Sequence, residues 1–472
     1  MKIRYPLLCG TALMAAMLTS NLTAEDEQQG PFMIFENPSG YAATFNTAGQ
    51  IDESNPFFQS LGTNGRSCST CHQASDGWTV VPSHIQQRFV ATGGSDPIFR
   101  LVDGANSPNA DVSSVEARIA AYSMLLTRGL IRVGIAIPDN AEFELVGVDD
   151  PYGYASAKEL SLFRRPLPTT NLKFLSTLMW DGRETLKDAT SKDCIFGTTT
   201  CFASLHFNLA DQSNSATVGH AQGLALTAEQ RDAIVQFESG LFTAQIQDMK
   251  AWYLGAQNAR GGPYDLIAQA SYFGINDVVS GDYQTAAVFN PVVFSVYDAW
   301  TGLSADPGSD PRIAEARQAV ARGQLLFNTK AIQIKDVKGI NDDLSVAVLP
   351  GTCTTCHDNP NAGNHSIPAP LDIGVADASR RTPDMPLYQL RNKTTGEVVA
   401  TTDPGRALIT GKWKDIGRFK GPTLRAVATR APYFHNGSAA DLDAVVDFYN
   451  TRFQIGLTQQ EHDDLVAFLR TL

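Results

Sequence analysis

Cys353-Thr354-Thr355-Cys356-His357 is the stretch that decides the fold, and Cys68-Ser69-Thr70-Cys71-His72 repeats its pattern earlier in the chain. CxxCH is the attachment signature of c-type haem. The two cysteines lie one helical turn apart and can add to the two vinyl groups of one porphyrin. The histidine that follows then presents its imidazole to the iron. By chance, one such pentapeptide is expected in roughly one of several hundred chains of this composition, so two are not accidents. A zinc site or a redox pair is the rival reading of a CxxC. A zinc ribbon needs its cysteine pairs closer together, and neither rival explains a histidine in both motifs.

The first residues read as an export signal over 1–24, with Lys2 and Arg4, an apolar run from Leu7 to Leu18, and small or polar residues before Ala24. That run is too short for a membrane span, and no later segment is long and uncharged enough for one. Haem attachment to CxxCH takes place outside the cytoplasmic membrane, so the periplasm is the expected compartment. The formal charge is −12, which argues against nucleic acid and anionic membrane surfaces as partners. Of seven cysteines, Cys9 falls in the signal, four belong to the haem motifs, and Cys194 and Cys201 remain. In an oxidising compartment a disulfide closing a short loop is the reading for that pair, with a redox role as its rival.

Around the motifs, Asn55–Leu61 reads as a short apolar turn, and the region from His72 to about Pro108 as loop around a porphyrin edge. Val115–Leu130 is predicted helical, with Ile119, Tyr122, Leu125 and Leu126 on one face. Ile131–Val148 alternates as a hairpin would. Leu167–Asn171 is a turn, and a helical stretch is expected from there to Trp180. Thr227 caps a helix that Gln230 closes into a capping box, with Ile234, Val235, Phe237 and Leu241 apolar. Met249–Leu303 is aromatic and glycine-rich without a chemical motif, and reads as a connection. After the breaker Asp306-Pro307-Gly308, Ala314–Phe327 is helical with Ile313, Val320, Gly323 and Phe327 in one stripe. Thr458-Gln459-Gln460-Glu461 caps a last helix carrying Leu465, Val466, Phe468 and Leu469. In cytochrome c domains a glycine on the first helix lets it cross the last helix closely. The fold class expected is mainly α: two tandem cytochrome c-type haem domains with extended loops, over 31–245 and 311–472, joined by an insertion at 246–310.

The chain resembles the bacterial dihaem cytochrome c peroxidases and their MauG-type members. Trp180-Asp181-Gly182-Arg183 looks like that family's segment between the haems, and Phe419–Arg425 and Ala431–Ser438 look like its FKxPTLR and APYFHDGS blocks. The likeness covers most of residues 50–245 and 311–472. It implies two covalently bound haem c groups, held at Cys68, Cys71 and His72 and at Cys353, Cys356 and His357. It makes the His72 haem the one that meets hydrogen peroxide and the His357 haem the one that handles electrons. Trp180 becomes the bridge between them. The electrons would come from a small periplasmic cytochrome or cupredoxin, or from residues of a protein substrate. Gln212 matches a glutamine on the distal side. Ten residues further on, where the family often has an acid–base glutamate, this chain has Gln222, with His220 two positions before it. An amide cannot shuttle a proton, whereas His220 can; the plainer reading of His220 is a hydrogen-bonded residue near a helix.

Fourteen positions after His435, where cytochrome-oxidising members carry a methionine ligand, stands Tyr449, as in MauG-type enzymes. A phenolate favours oxidised iron, and a thioether raises the potential. Met385 is the alternative ligand, and a core tyrosine the plain reading of Tyr449. The family also binds calcium between the haems through carbonyls that fall here on Arg430 and Pro432, and through an asparagine replaced here by Arg165 or Pro166. The carbonyls survive substitution, but the asparagine side chain does not, and an arginine repels the ion. A reading from a different class is a non-catalytic dihaem electron-transfer cytochrome with both irons six-coordinate.

Overall fold

The helices Pro311–Thr329 and Gln459–Arg470 cross where Gly323 meets Phe468. A Cβ on Gly323 would lie 1.9 Å from Asp464 O and 2.7 Å from Phe468 Cβ, so only glycine permits the approach. The computed structural model describes residues 32–185, 192–194, 201–304 and 310–472. The expected export signal, with Cys9, and the breaker at Asp306-Pro307-Gly308 lie outside the described residues.

The expectation of a mainly α chain is overturned: 32 % of residues are helical and 19 % are strand, in several sheets. One antiparallel sheet orders Phe32–Asn37, Gly40–Asn46, Leu241–Asp248 and Trp252–Tyr253. A second places Leu387–Asn392 between Val398–Thr401 and Phe143–Asp149. The reason is backbone accounting. The segments between the helices lack a helical period, and once buried their N–H and C=O groups need partners that strand pairing gives. The expected hairpin at Ile131–Val148 contains two strands, but they do not pair with each other. Ile131–Ile135 pairs with Leu160–Arg164, and Phe143–Asp149 pairs with Leu387–Asn392.

Other local expectations divide in the same way. The loop after His72 contains the helix Pro82–Thr92, with Ile85 and Phe89 buried. The expected helix at Val115–Leu130 is two, Val115–Ala121 and Ser123–Arg128. Its face buries Tyr122, Leu125 and Leu126 but leaves Ile119 exposed. Only a short 3-10 turn, Leu172–Phe174, stands where a helix to Trp180 was expected. Both capping boxes form, at Thr227/Gln230 and Thr458/Glu461. Cys201 is disulfide-bonded, and Cys194 is its register partner in a small hairpin.

The stretch read as a connection is part of a core. Phe294, Tyr297 and Trp300 are fully buried against Val320, Phe327 and Phe468. Burial of each such side chain stabilises by about 2–3 kcal/mol. Asn328 holds the segment by accepting from Phe294 N at 3.0 Å and donating to Phe294 O at 2.7 Å. Tyr297 also donates its hydroxyl to Thr471 O at 2.6 Å. Among the described residues no helix is long and apolar enough to cross a membrane.

Candidate functional site

Both CxxCH motifs fold alike. Cys68–Thr70 and Cys353–Thr355 are single 3-10 turns. Ser67 N donates to Thr70 Oγ1 and Thr352 N to Thr355 Oγ1, each at 3.0 Å. None of the four motif cysteines forms a disulfide. Burial raises all four thiols, those of Cys353 and Cys356 to about 12. The histidines are held in one tautomer. His72 Nδ1 lies 3.0 Å from Trp78 O and His357 Nδ1 2.5 Å from Gly363 O. A carbonyl only accepts, so Nδ1 carries the proton and Nε2 keeps its lone pair for a metal. Burial lowers both imidazoles, His72 to about 4, which keeps them neutral as ligation requires.

Each motif walls a large cavity. The first is ≈ 1540 Å³ with its open mouth counted and is lined by Cys68, Cys71 and His72. The second, ≈ 1820 Å³, is lined by Cys353, Cys356 and His357. Donor set and tautomers fit haem c in both.

The two cavities share a wall built from Arg165–Pro168, Trp180, Lys420, Pro422 and Thr423. Trp180 lines both cavities. Its Nε1 donates to Arg165 O at 2.8 Å, and its ring centroid is 6.2 Å from that of His435. His435 stacks on Phe419 at 3.9 Å, and its buried Nε2 has no partner. Lys420 is buried with its Nζ on Thr177 O at 2.6 Å. Burial, with Arg430 nearby, lowers its ammonium to about 7.

Gln212 and His220 both line the first cavity. The helix Leu205–Gly219 turns Leu209, Gln212, Ser213 and Ala216 to that side, at the spacing of one helical face. His220 follows directly, and its Nδ1 lies 2.5 Å from Asp103 Oδ2. Asp103 is buried and also paired with the buried Arg66. Burial alone would raise the Asp103 carboxyl, but His220 and Arg66 bring it below its ordinary value. Gln222 is not on this wall. The chain reverses after the helix, closed by Gly223 N on Thr217 O at 3.0 Å, and Gln222 takes a left-handed φ of 55°. Its side chain is exposed, so the structure does not bring it to the cavity as expected.

Sequence reasoning missed Arg66, Asp103, Glu238 and Lys420. Asp103 and Glu238 carry no local signal, because tertiary contact alone brings them to the cavity; Lys420 sits inside a motif that was quoted without a role. Glu238 is fully buried, its Oε2 has no partner, and burial pushes its carboxyl up to about 8.

Tyr449 lines the second cavity and packs beside Cys353 and Cys356, with its ring 6.2 Å from and parallel to Phe453. Burial, with Cys356 and Cys353 nearby, pushes its phenol up. Met385 is buried with Met124, Leu130 and Phe163 and is on neither cavity wall.

No protein-family model matches the chain. It is 32 % identical over 193 residues to the cytochrome-c peroxidase IdrP1 of Denitromonas iodatirespirans, covering 35 % of this chain and 51 % of that protein. It is 36 % identical over 122 residues to the cytochrome c peroxidase Ccp of Escherichia coli, covering 25 % and 22 %. Cytochrome c551 peroxidase of Pseudomonas aeruginosa is 28 % identical over 144 residues, covering 30 % and 35 %. The chain spans about half the length of the first of these relatives and less of the others. A solved MauG-like protein associated with microbial copper homeostasis aligns over 89 % of this chain and 87 % of its own, at 15 % identity and a TM-score of 0.36. That score is too low to carry an argument. Over these matched segments the chain is similar in sequence to bacterial cytochrome c peroxidases.

Proposed function

We propose that this chain is an exported, periplasmic dihaem c-type peroxidase. In this reading it reduces hydrogen peroxide in the His72 cavity and passes electrons through the His357 cavity. The observation that carries the reading is the pair of CxxCH cavities sharing the Trp180 wall; among the described residues only the first has the hydrogen-bonded set of His220, Asp103 and Arg66, with Gln212 on the same wall. When bound, haem c supplies an iron whose sixth position exchanges ligands and whose oxidation state changes.

The rest is the work of side chains. His220 Nε2 takes a proton from the entering peroxide and returns one to the departing oxygen, with Asp103 fixing the ring through Nδ1. The Gln212 amide orients the substrate. Trp180 relays charge across the shared wall. Tyr449 would hold the second iron through its phenolate oxygen, a donor that favours oxidised iron and so a protein substrate over a small cytochrome or cupredoxin as the electron source. The cytochrome c-like units are 31–245 and 311–472.

The test is an electronic and EPR spectrum of the ferric holoprotein, followed by peroxide addition with candidate donors. A high-spin component and two haems per chain that survive acid-acetone extraction are expected, with turnover. Two low-spin six-coordinate irons without turnover would turn the reading into an electron-transfer cytochrome.

A further inference from the structure

The resemblance calls for a calcium ion between the haems, and the residues at that place do not fit one. The family's asparagine falls here on Arg165 or Pro166, neither of which offers an oxygen ligand from its side chain, and Arg165 brings a charge. It is 5 % exposed, and its guanidinium is already committed to backbone carbonyls. Nη1 donates to Arg128 O at 2.6 Å. Nη2 donates to Val80 O at 2.7 Å and to Arg430 O at 3.3 Å. Arg430 O is one of the two carbonyls expected to hold the ion.

Three buried basic side chains meet around this point, and the buried Asp76 carboxylate is the acidic neighbour of Arg165. Arg430 is itself buried, with Nη1 on Arg425 O at 3.0 Å and Nη2 on Thr423 O. Lys420 is the third buried cation, bonded to Thr177 O. Among the described residues, every hydrogen bond these three side chains make ends on a carbonyl oxygen. Burial lowers the Arg165 guanidinium only to about 10, so it is cationic at neutral pH. Calcium takes six to eight oxygen ligands and favours carboxylates among them. A divalent ion within reach of Arg430 O would instead meet a buried guanidinium at close range in a poorly screened site.

Arg165 also has the connectivity of a structural cation. Its guanidinium joins Val80 and Arg128, from the first haem unit, to Arg430, from the second. Its backbone repeats the link: Arg165 N donates to His435 O at 2.7 Å, and Arg165 O accepts from Trp180. We propose that the Arg165 guanidinium takes the place of the inter-haem calcium. A tethered cation then gathers the carbonyls that an ion would gather, and the junction needs no divalent metal.

The inference rests on the dihaem reading for the position of that ion, but its test does not use peroxide turnover. Holoprotein treated with EGTA and desalted should melt at the same temperature with and without added calcium chloride, and should give no binding heat. One tightly bound calcium per chain, with a raised Tm, would overturn the proposal. Arg165→Asn should lower Tm by about 5 °C. Millimolar calcium should then recover much of that loss, with about one calcium retained per chain by elemental analysis. A destabilised R165N that ignores calcium would reduce Arg165 to an ordinary cross-link and overturn the equivalence. If R165N does not accumulate, R165K keeps the charge with poorer geometry. It should melt lower than the wild type and stay blind to calcium, and calcium stabilisation of R165K would overturn the proposal.

Discussion

Asp103 holds His220 and Arg66 at once: one carboxylate oxygen lies 2.5 Å from His220 Nδ1, and the other is paired with Arg66 Nη1. The carboxylate and the guanidinium are buried, whereas the imidazole is partly open to the first cavity. In the proposed peroxidase mechanism Asp103 is the positioning residue for His220.

Replacing Asp103 by asparagine should separate two effects. Stability should fall by about 3 kcal/mol in chemical denaturation, because Arg66 is left buried without its partner. Peroxide turnover should fall about tenfold or more and its pH profile should move, because an amide no longer fixes the ring. His220→Gln should reduce turnover by about 100-fold with a much smaller loss of stability. Equal stability losses in the two variants, with unchanged pH profiles, would leave the pair a purely structural contact.

Gln222 and Gln212 make an internal control. Gln222 is exposed in a left-handed turn, and Gln212 lines the cavity. Gln222→Gly relieves the positive φ and should leave turnover within about twofold of the wild type. Gln212→Ala should raise KM or lower kcat by about tenfold. Steady-state kinetics on both variants decides whether the cavity wall or the sequence spacing identifies the functional amide.

Tyr449 packs beside Cys353 and Cys356 and lines the cavity of the second motif. An oxygen donor there favours ferric iron, so the potentiometric titration of the wild type should lack a high-potential couple. Tyr449→Met should raise that couple and improve turnover with cytochrome donors. A thioether–iron charge-transfer band in the wild type would exclude tyrosine ligation. Met385 is walled off in a separate apolar cluster, so Met385→Leu should leave both haem spectra unchanged.

Asp181 sets an acid limit on stability. Its carboxylate is buried, lying 2.5 Å from Arg164 Nη1 and 2.9 Å from Arg183 Nη1. Burial raises its pKa, but the two guanidiniums outweigh that and bring it down to about 2. The unfolded chain titrates near the ordinary aspartate value, so this contribution is complete above about pH 4 and disappears as pH falls through 2. It amounts to about 2 kcal/mol. Denaturant midpoints between pH 5 and 2 should show the loss. In Asp181→Asn the stability gap to the wild type, about 3 kcal/mol at pH 7, should shrink by that amount at pH 2. A gap independent of pH would mean that Asp181 titrates alike in the folded and unfolded chain.

Sequence alone carried the elements whose physics is local. Two pentapeptides name their ligand because attachment needs two thiols and an imidazole within one turn. The capping boxes at Thr227 and Thr458 are read directly, since a side chain and an amide three residues away satisfy each other whatever surrounds them. Gly323 and Phe468 declared a close helix crossing through the absence and presence of bulk. What the sequence could not decide was pairing between distant segments. The strands at Ile131 and Phe143 alternate as hairpin strands do, yet their partners lie at Leu160 and Leu387, because backbone hydrogen bonds carry no label of sequence separation. The aromatic stretch before residue 304 has no motif, and only packing against Val320, Phe327 and Phe468 makes it core. The same holds at the site. Tertiary structure alone turned Gln222 outward, set His220 against Asp103, and aimed the Arg165 guanidinium at Arg430 O, since each depends on where a second segment of chain comes to rest.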